Sequence, residues 1–224
     1  MNHYNNLYIL GTSHISKDSV NEVENFILNN KPDIVAIELD KKRFYAMMQE
    51  KKKTSLKDTF NLGVKAFLIN IIGAYVEKKL GKVVGVSPGS EMKKAIELVK
   101  ANKLKLALID QDIEITLKRL SKAITIGVVF RFFWDIIRAV VFRKRDFEIF
   151  DIRKVPSKKI IEGILIKVKE RYPNIYNVLI EERNEIMARN LYKLMNDHKD
   201  KKIFAVVGAG HELEIINIIK RTEA

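Results

Sequence analysis

The sequence predicts an α/β fold: a single domain, residues 1–224, with a mostly parallel or mixed central sheet flanked by helices and a helical insertion. Short β-branched and apolar runs alternate with amphipathic helices, which is the pattern of a parallel sheet. Two of these runs, at residues 8–10 and 202–207, end in turns of one pattern: glycine, two small residues and histidine. No linker or low-complexity segment divides the chain, and its length is sufficient for one sizeable core.

The first strand is predicted at residues 8–10, which are aromatic and β-branched. Gly11 allows the chain to turn there, and His14 lies just past the strand's carboxyl end. An amphipathic helix follows, whose apolar face is Val20, Val23, Phe26 and Ile27. Open α/β sheets bind ligands at the carboxyl ends of their strands, so His14 lies where a site is expected.

The second predicted strand, residues 34–37, is apolar on both faces, as a central parallel strand should be. Glu38, Asp40 and Arg43 follow its carboxyl end. Parallel strands present these ends at one edge of a sheet, so we expect the acids and the arginine to lie near His14.

The third predicted strand, residues 104–109, is followed by Asp110 and Asp112. Both acids could support the same site, although Asp112 could simply cap the next helix. A later helix, which begins at Pro173, carries Glu182 and Arg183. The last strand ends in Gly208-Ala209-Gly210-His211, and a short closing helix follows.

Two apolar segments, roughly residues 56–80 and 121–145, are predicted to form the helical insertion. The second has the length of a membrane span, but its charges, Arg131, Asp135 and Arg138, share one helix face. Such charges are rare in the middle of a spanning helix. Two alternatives remain: a core or homodimer face, and a peripheral membrane contact with Trp134 near the basic residues 143–145.

Composition restricts the function classes. The chain has no cysteine, which excludes disulfides and thiolate chemistry, and no signal peptide opens it, so we expect a cytoplasmic protein. Its abundance of lysine, glutamate and isoleucine suggests a thermophile. The net charge of +13 would suit an anionic partner, yet no recognition helix or aromatic–basic alternation favours nucleic acid.

The paired histidine turns predict a metal site. Neutral imidazole and carboxylate are usual ligands of a catalytic divalent ion such as Mn, Co or Zn. We therefore predict that His14, His211 and Glu38 bind the ion and that it activates water. The turn residues predicted to contact substrate are Gly11, Thr12, Ser13, Gly208 and Gly210. The structural alternative, in which Glu38, Asp40, Arg43, Glu182 and Arg183 form an ion-pair network, stays open.

The motifs named above resemble, in order and nearly throughout the chain, those of the TraB domain family. They are the GTSH turn, KPDIVAIELD with Arg43, PGSEM at 88–92, IDQDI at 109–113 with Thr116 and Arg119, ERN at 182–184 with Met187-Ala188, and GAGH at 208–211. That family includes bacterial pheromone-shutdown proteins and is related to the Tiki membrane proteases. Gln111 and Asn184 depart from the family pattern, in which an arginine and an acidic residue occupy these positions.

The resemblance implies metal-dependent hydrolysis of a peptide, with two Gly-x-x-His turns and a glutamate at the metal. Glu38 and Glu182 would then be the catalytic acids, and Arg43 and Arg183 would orient them or bind a substrate carboxylate. The alternative on the same scaffold is a non-catalytic protein that sequesters a peptide or regulates at a membrane surface.

Overall fold

The computed structural model describes residues 1–12, 17–49, 89–141 and 158–223. Five described strands form one mixed sheet in the order β1-β2-β5-β3-β4. They are β1 (Asn2–Tyr4), β2 (Leu7–Thr12), β3 (Ile34–Ile37), β4 (Lys105–Leu108) and β5 (Ile203–Gly208). The edge strand β1 is antiparallel to β2, and all other neighbours are parallel. The predicted α/β class is confirmed.

Helices cover both faces of this sheet. In chain order they are α1 (Lys17–Asn30), α2 (Lys41–Met48), α3 (Ser90–Ala101), α4 (Ile113–Ala123), α5 (Ile126–Val141), α6 (Lys158–Arg171), α7 (Pro173–Tyr176), α8 (Glu182–Asp197) and α9 (Glu212–Glu223). A π-helical turn, Asn177–Glu181, joins α7 to α8. Asp112 caps α4 by accepting a hydrogen bond from the backbone N–H of Glu114, so the capping alternative for Asp112 is confirmed.

Successive side chains of the strands alternate between two cores, because a strand has a period of two. In β2, Leu7 and Ile9 face α8 and α9, whereas Leu10 faces α1 and α3. Phe204 of β5 stacks on Phe26 of α1, with ring centroids 4.1 Å apart. Burial of one such apolar side chain is worth about 1.5–3 kcal/mol, so these two layers hold the strand ends in fixed positions.

The central strand is β5, whose six residues are all buried. It lies between β2 and β3, so the carboxyl ends of β2 and β3 lie on either side of the carboxyl end of β5. Thr12 pairs with Gly208, and Glu38 follows the pairing of Ile37 with Val206. The carboxyl ends of all four parallel strands therefore meet at one edge.

The predicted insertion is described only in part. Residues 56–80 lie outside the described ranges, whereas α5 lies within the second predicted segment. In the described ranges, no helix has both the length and the apolarity that crossing a membrane requires. Ile126, Phe130 and Trp134 of α5 are exposed, so the core interpretation is wrong for these three side chains.

Candidate functional site at the carboxyl edge of the sheet

The turn after β5 rests directly on the end of β2. The Ala209 N–H donates to the carbonyl of Thr12 over 2.9 Å, and the His211 N–H donates to the carbonyl of Gly208 over 2.9 Å. This close approach requires glycine at position 11. A Cβ on Gly11 would lie 2.8 Å from Glu212 Oε2 and 2.9 Å from Ala209 Cα, which is closer than such atoms approach.

Glu38 is buried at the end of β3 and is anchored at both oxygens. Its Oε2 accepts a hydrogen bond from the Gly208 N–H over 2.5 Å. Its Oε1 pairs with the Nη2 of Arg183, a residue in the first turn of α8. Strands β3 and β5 are thus linked through one carboxylate.

Asp110, which follows β4, binds both arginines. Its Oδ2 accepts from Arg183 Nη2 over 2.6 Å and from Arg43 Nη2 over 2.5 Å, and its Oδ1 accepts from Arg183 Nε over 3.1 Å. Its side chain has no exposed area. Burial alone would raise the pKa of Asp110, but the hydrogen bonds and charges of Arg183 and Arg43 outweigh it and hold the pKa below its ordinary value.

Arg43 completes the network from α2. Its Nε pairs with Asp40, which also caps that helix by accepting from the backbone N–H groups of Lys42 and Arg43. We call Glu38, Asp40, Arg43, Asp110 and Arg183 the carboxylate–arginine cluster. Burial alone would lower the pKa of Arg183, but its hydrogen bond to Asp110 and the charge of Glu38 outweigh that effect and raise the pKa above its ordinary value. The guanidinium therefore stays charged.

His211 borders this cluster with one ring nitrogen and binds Asn184 with the other. Its Nδ1 lies 2.6 Å from Asn184 Oδ1, so with the amide in this orientation Nδ1 donates and Nε2 presents its lone pair. Nε2 lies 3.5 Å from Glu38 Oε1 and 3.4 Å from Arg183 Nη1. Asn184 therefore fixes the imidazole so that Nε2 faces the cluster.

Two donor atoms of this edge, Glu38 Oε1 and His211 Nε2, are of the chemical types that bind divalent ions. Two ligands of a tetrahedral ion lie about 3.4 Å apart, close to the separation of Glu38 Oε1 and His211 Nε2. A ligating histidine commonly donates its other nitrogen to an oxygen, as His211 does to Asn184. Within the described ranges no group of three His, Asp or Glu side chains is arranged for a metal, and His14 lies outside those ranges.

The remaining predicted site residues are spread around this edge. Thr12 is buried and its hydroxyl donates to the carbonyl of Val207, while Ser13 lies outside the described ranges. Glu182 contacts a different set of residues. Its Oε1 accepts from Arg119 Nη2 over 2.7 Å and from Asn177 Nδ2 over 3.0 Å. The fold thus brings Glu38, Arg43, Arg183 and His211 together and turns Glu182 towards α4.

A pocket of about 450 Å³ opens beside the GAGH turn. Asn184, which binds the His211 ring, and Gly210 both line this pocket. Its wall combines apolar side chains with charged ones: Leu165, Ile166, Leu213, Glu162, Glu181, Glu214 and Lys169, whose Nζ lies 2.7 Å from Glu181 Oε1. A substrate residue in this pocket would lie next to the His211 turn.

Sequence reasoning missed two contributors. The sequence predicts only a supporting role for Asp110, although Asp110 contacts both arginines; its place directly after a strand is the signal that could identify it. For Asn184 the sequence indicates only the loss of a charge. Its amide oxygen binds His211, a contact that nothing in the spacing of Asn184 and His211 indicates.

Comparison with known proteins agrees with the motifs. The family model described as TraB/PrgY/gumN family matches residues 2–224. An uncharacterized protein of Methanocaldococcus jannaschii is 39% identical over 219 residues, which are 97% of this chain and 54% of that protein. TraB domain-containing proteins of Bos taurus and Homo sapiens are 23% identical over 231 residues, covering 92% of this chain and 60% of theirs. The chain therefore spans somewhat more than half the length of these relatives.

Proposed function

This chain belongs to the TraB/PrgY/gumN family, and we propose that its carboxyl-edge site is a metal-dependent peptide hydrolase centre. The observation that carries the proposal is the pair Glu38 Oε1 and His211 Nε2, 3.5 Å apart, with the imidazole fixed from behind by Asn184. His14 would be the third ligand. The bound ion would activate a water and polarise the carbonyl that it attacks.

The charge of the site supports a cation there. The carboxylate–arginine cluster contains three carboxylates and two guanidinium groups, so its charges sum to one negative. A cation beside Glu38 would be attracted by the excess negative charge of these five described side chains. His211 lies next to that carboxylate and presents an acceptor nitrogen to it.

The chain's own residues would position the reacting groups. The Gly208 N–H and Arg183 hold the two oxygens of Glu38, which fixes the direction of its lone pairs. Asp110 holds Arg183 and Arg43 at one carboxylate, so neither guanidinium can rotate without losing a buried bond. The pocket at Gly210 would receive a peptide side chain, and its wall offers apolar contacts together with charged groups of both signs.

The test is metal content in matched histidine variants. The chain has four histidines, so the double variant His14→Ala/His211→Ala can be compared with His3→Ala/His198→Ala. After incubation with manganese, cobalt or zinc, we expect stoichiometric metal in the wild type and the control pair and none in the site pair. Circular dichroism establishes that each variant is folded. A metal-free wild type would overturn the ligand assignment.

Activity is measured next on a peptide library, by mass spectrometry. We expect cleavage by the loaded wild type and by the control pair, and intact peptides with the site pair.

One observation favours a second candidate, peptide binding without turnover. Arg183 places Nη2 on Glu38 and Nη1 3.4 Å from His211, so a guanidinium already lies beside both donors. In that case both double variants would retain the peptide, and no preparation would cleave it.

A further inference from the structure

Helix α5 exposes three apolar side chains along one line of its surface. Ile126, Phe130 and Trp134 recur every fourth residue and are exposed by 74%, 72% and 58%. Four residues advance about 40° around a helix, so the three side chains form one stripe. We call them the α5 stripe. Scattered exposed apolar residues are ordinary, but an aligned stripe of this size indicates an interaction surface.

The polar side of the same helix is attached to the body of the protein. Arg131 Nη1 donates to the carbonyl of Arg171 over 2.9 Å. Asp135 accepts two bonds from Arg171, over 2.9 and 2.6 Å, and one from the Tyr172 hydroxyl over 2.6 Å. Arg131 and Asp135 lie about 100–140° around the helix axis from Phe130. These bonds therefore hold the α5 stripe outward.

We propose that the α5 stripe inserts into the interface of an anionic membrane, as a peripheral contact. Tryptophan and phenylalanine prefer the boundary between headgroups and acyl chains, and interfacial helices combine such residues with basic neighbours. The described part of α5 carries Arg131 and Asp135 as well as the stripe, so it would lie in the interface plane rather than cross the bilayer.

Charge decides between the candidate occupants. The chain carries a net charge of +13, and Lys118, Lys122 and residues 143–145 add basic groups on either side of α5 in the sequence. A second copy would bring the same +13 and repel the first. An anionic leaflet attracts a chain of this charge, at about 1 kcal/mol for each basic residue near the membrane.

The test uses Trp134, which is the only tryptophan of the chain. The full chain is mixed with phosphatidylcholine vesicles that contain, or lack, phosphatidylglycerol. With phosphatidylglycerol we expect Trp134 emission to shift to shorter wavelength, to be quenched by brominated acyl chains, and to revert as salt is added. No shift, or an equal shift on pure phosphatidylcholine, would overturn the proposal.

Variants establish that the stripe makes the contact. Phe130→Ser should lower the vesicle partition coefficient by at least about tenfold, since burial of one such side chain is worth more than 1.4 kcal/mol. The matched control is Leu28→Ser on α1, which removes an exposed apolar residue far from the stripe in sequence and should leave binding unchanged. Equal losses in the two variants would overturn the assignment.

Two outcomes without vesicles would identify another occupant. Emission that shifts with protein concentration, together with a dimer in size-exclusion chromatography, would identify a second copy. A monomer whose Trp134 is already protected from acrylamide would place another part of the chain on the stripe. Either result overturns the membrane proposal.

Discussion

The carboxylate–arginine cluster and helix α5 break the usual distribution of residues in opposite ways. The cluster buries charge: Asp110 has no exposed side-chain area, and Arg183 retains only 14%. Helix α5 does the reverse, since it exposes Phe130 and Trp134 and directs its charged Asp135 to the body of the protein.

The two regions differ in where their partners lie. Each buried charge in the cluster has an opposite charge within the described part of the chain. A buried charge without a partner would cost several kcal/mol, so this compensation has to be internal. An exposed apolar stripe costs the folded monomer little, and its partner can come from outside. The buried cluster is thus stabilised by partners within the fold, whereas the exposed α5 stripe can bind a partner outside it.

The comparison is tested most strongly by removing one negative charge from each region. Asp110→Asn should lower the free energy of unfolding by about 3–5 kcal/mol, because the largely buried Arg183 and the partly exposed Arg43 then share an amide instead of a carboxylate. Asp135→Asn, at the partly exposed pair with Arg171, should cost no more than about 1 kcal/mol. Urea denaturation followed by circular dichroism measures both. Equal losses would contradict the distinction.

Acidification should reduce the difference in unfolding free energy between the wild type and Asp110→Asn. The folded-state pKa of Asp110 is below its ordinary value, so its ionised form stabilises the fold at neutral pH. That contribution is complete above the unfolded pKa of about 3.9 and is lost as pH falls through the lower, folded pKa. The gap between wild type and Asp110→Asn in urea should stay constant from pH 7 to about pH 5 and then narrow. A gap that widens in acid would refute this assignment.

Packing beside the cluster should be less tolerant than packing on the α6 side of the pocket. Gly11→Ala places a methyl group against the Ala209 backbone and should cost about 1–3 kcal/mol. Gly163→Ala in α6 meets no atom within 4 Å and should stabilise by about 0.5–1 kcal/mol. Thermal unfolding compares them, and a destabilising Gly163→Ala would show that α6 is packed against something further.

The smallest effect is expected at the α5 stripe. Phe130→Ser should change the free energy of unfolding by no more than about 0.5 kcal/mol, since an exposed side chain loses little in the folded state. The large-to-small substitution Phe204→Ala in the core should instead cost about 3–5 kcal/mol. Chemical denaturation of both variants gives the comparison. A large loss at Phe130 would mean that the stripe is covered within the monomer.

Strand positions were predictable because apolar runs such as residues 34–37 and 203–207 have no alternative but burial. The edge strand β1 was not predicted, since Asn2-His3-Tyr4 is polar and pairs only because β2 leaves an open edge. Its antiparallel direction explains why the sheet is mixed rather than fully parallel.

The sequence was sufficient to predict that the site lies at the carboxyl edge of the sheet, but not which side chains contact each other there. The prediction that Glu38, Arg43 and His211 leave strands or helices at one edge needed only topology. The direction of Glu182 towards Arg119, away from the cluster, depends on where α4 packs against the turn before α8. The contact between Asn184 and His211 likewise depends on the rotation of α8, which local sequence does not specify.

The position of β5 also has a consequence for synthesis. The strand that joins β2 to β3 in the described sheet is the last of the five along the chain. A ribosome that has made residues 1–202 has released β2, β3 and β4, yet β2 has no parallel neighbour and β3 has one open side. Exposed strand edges attract other chains, and pairings this distant in sequence form slowly. During translation β2 and β3 therefore keep unpaired edges on the sides that β5 later occupies.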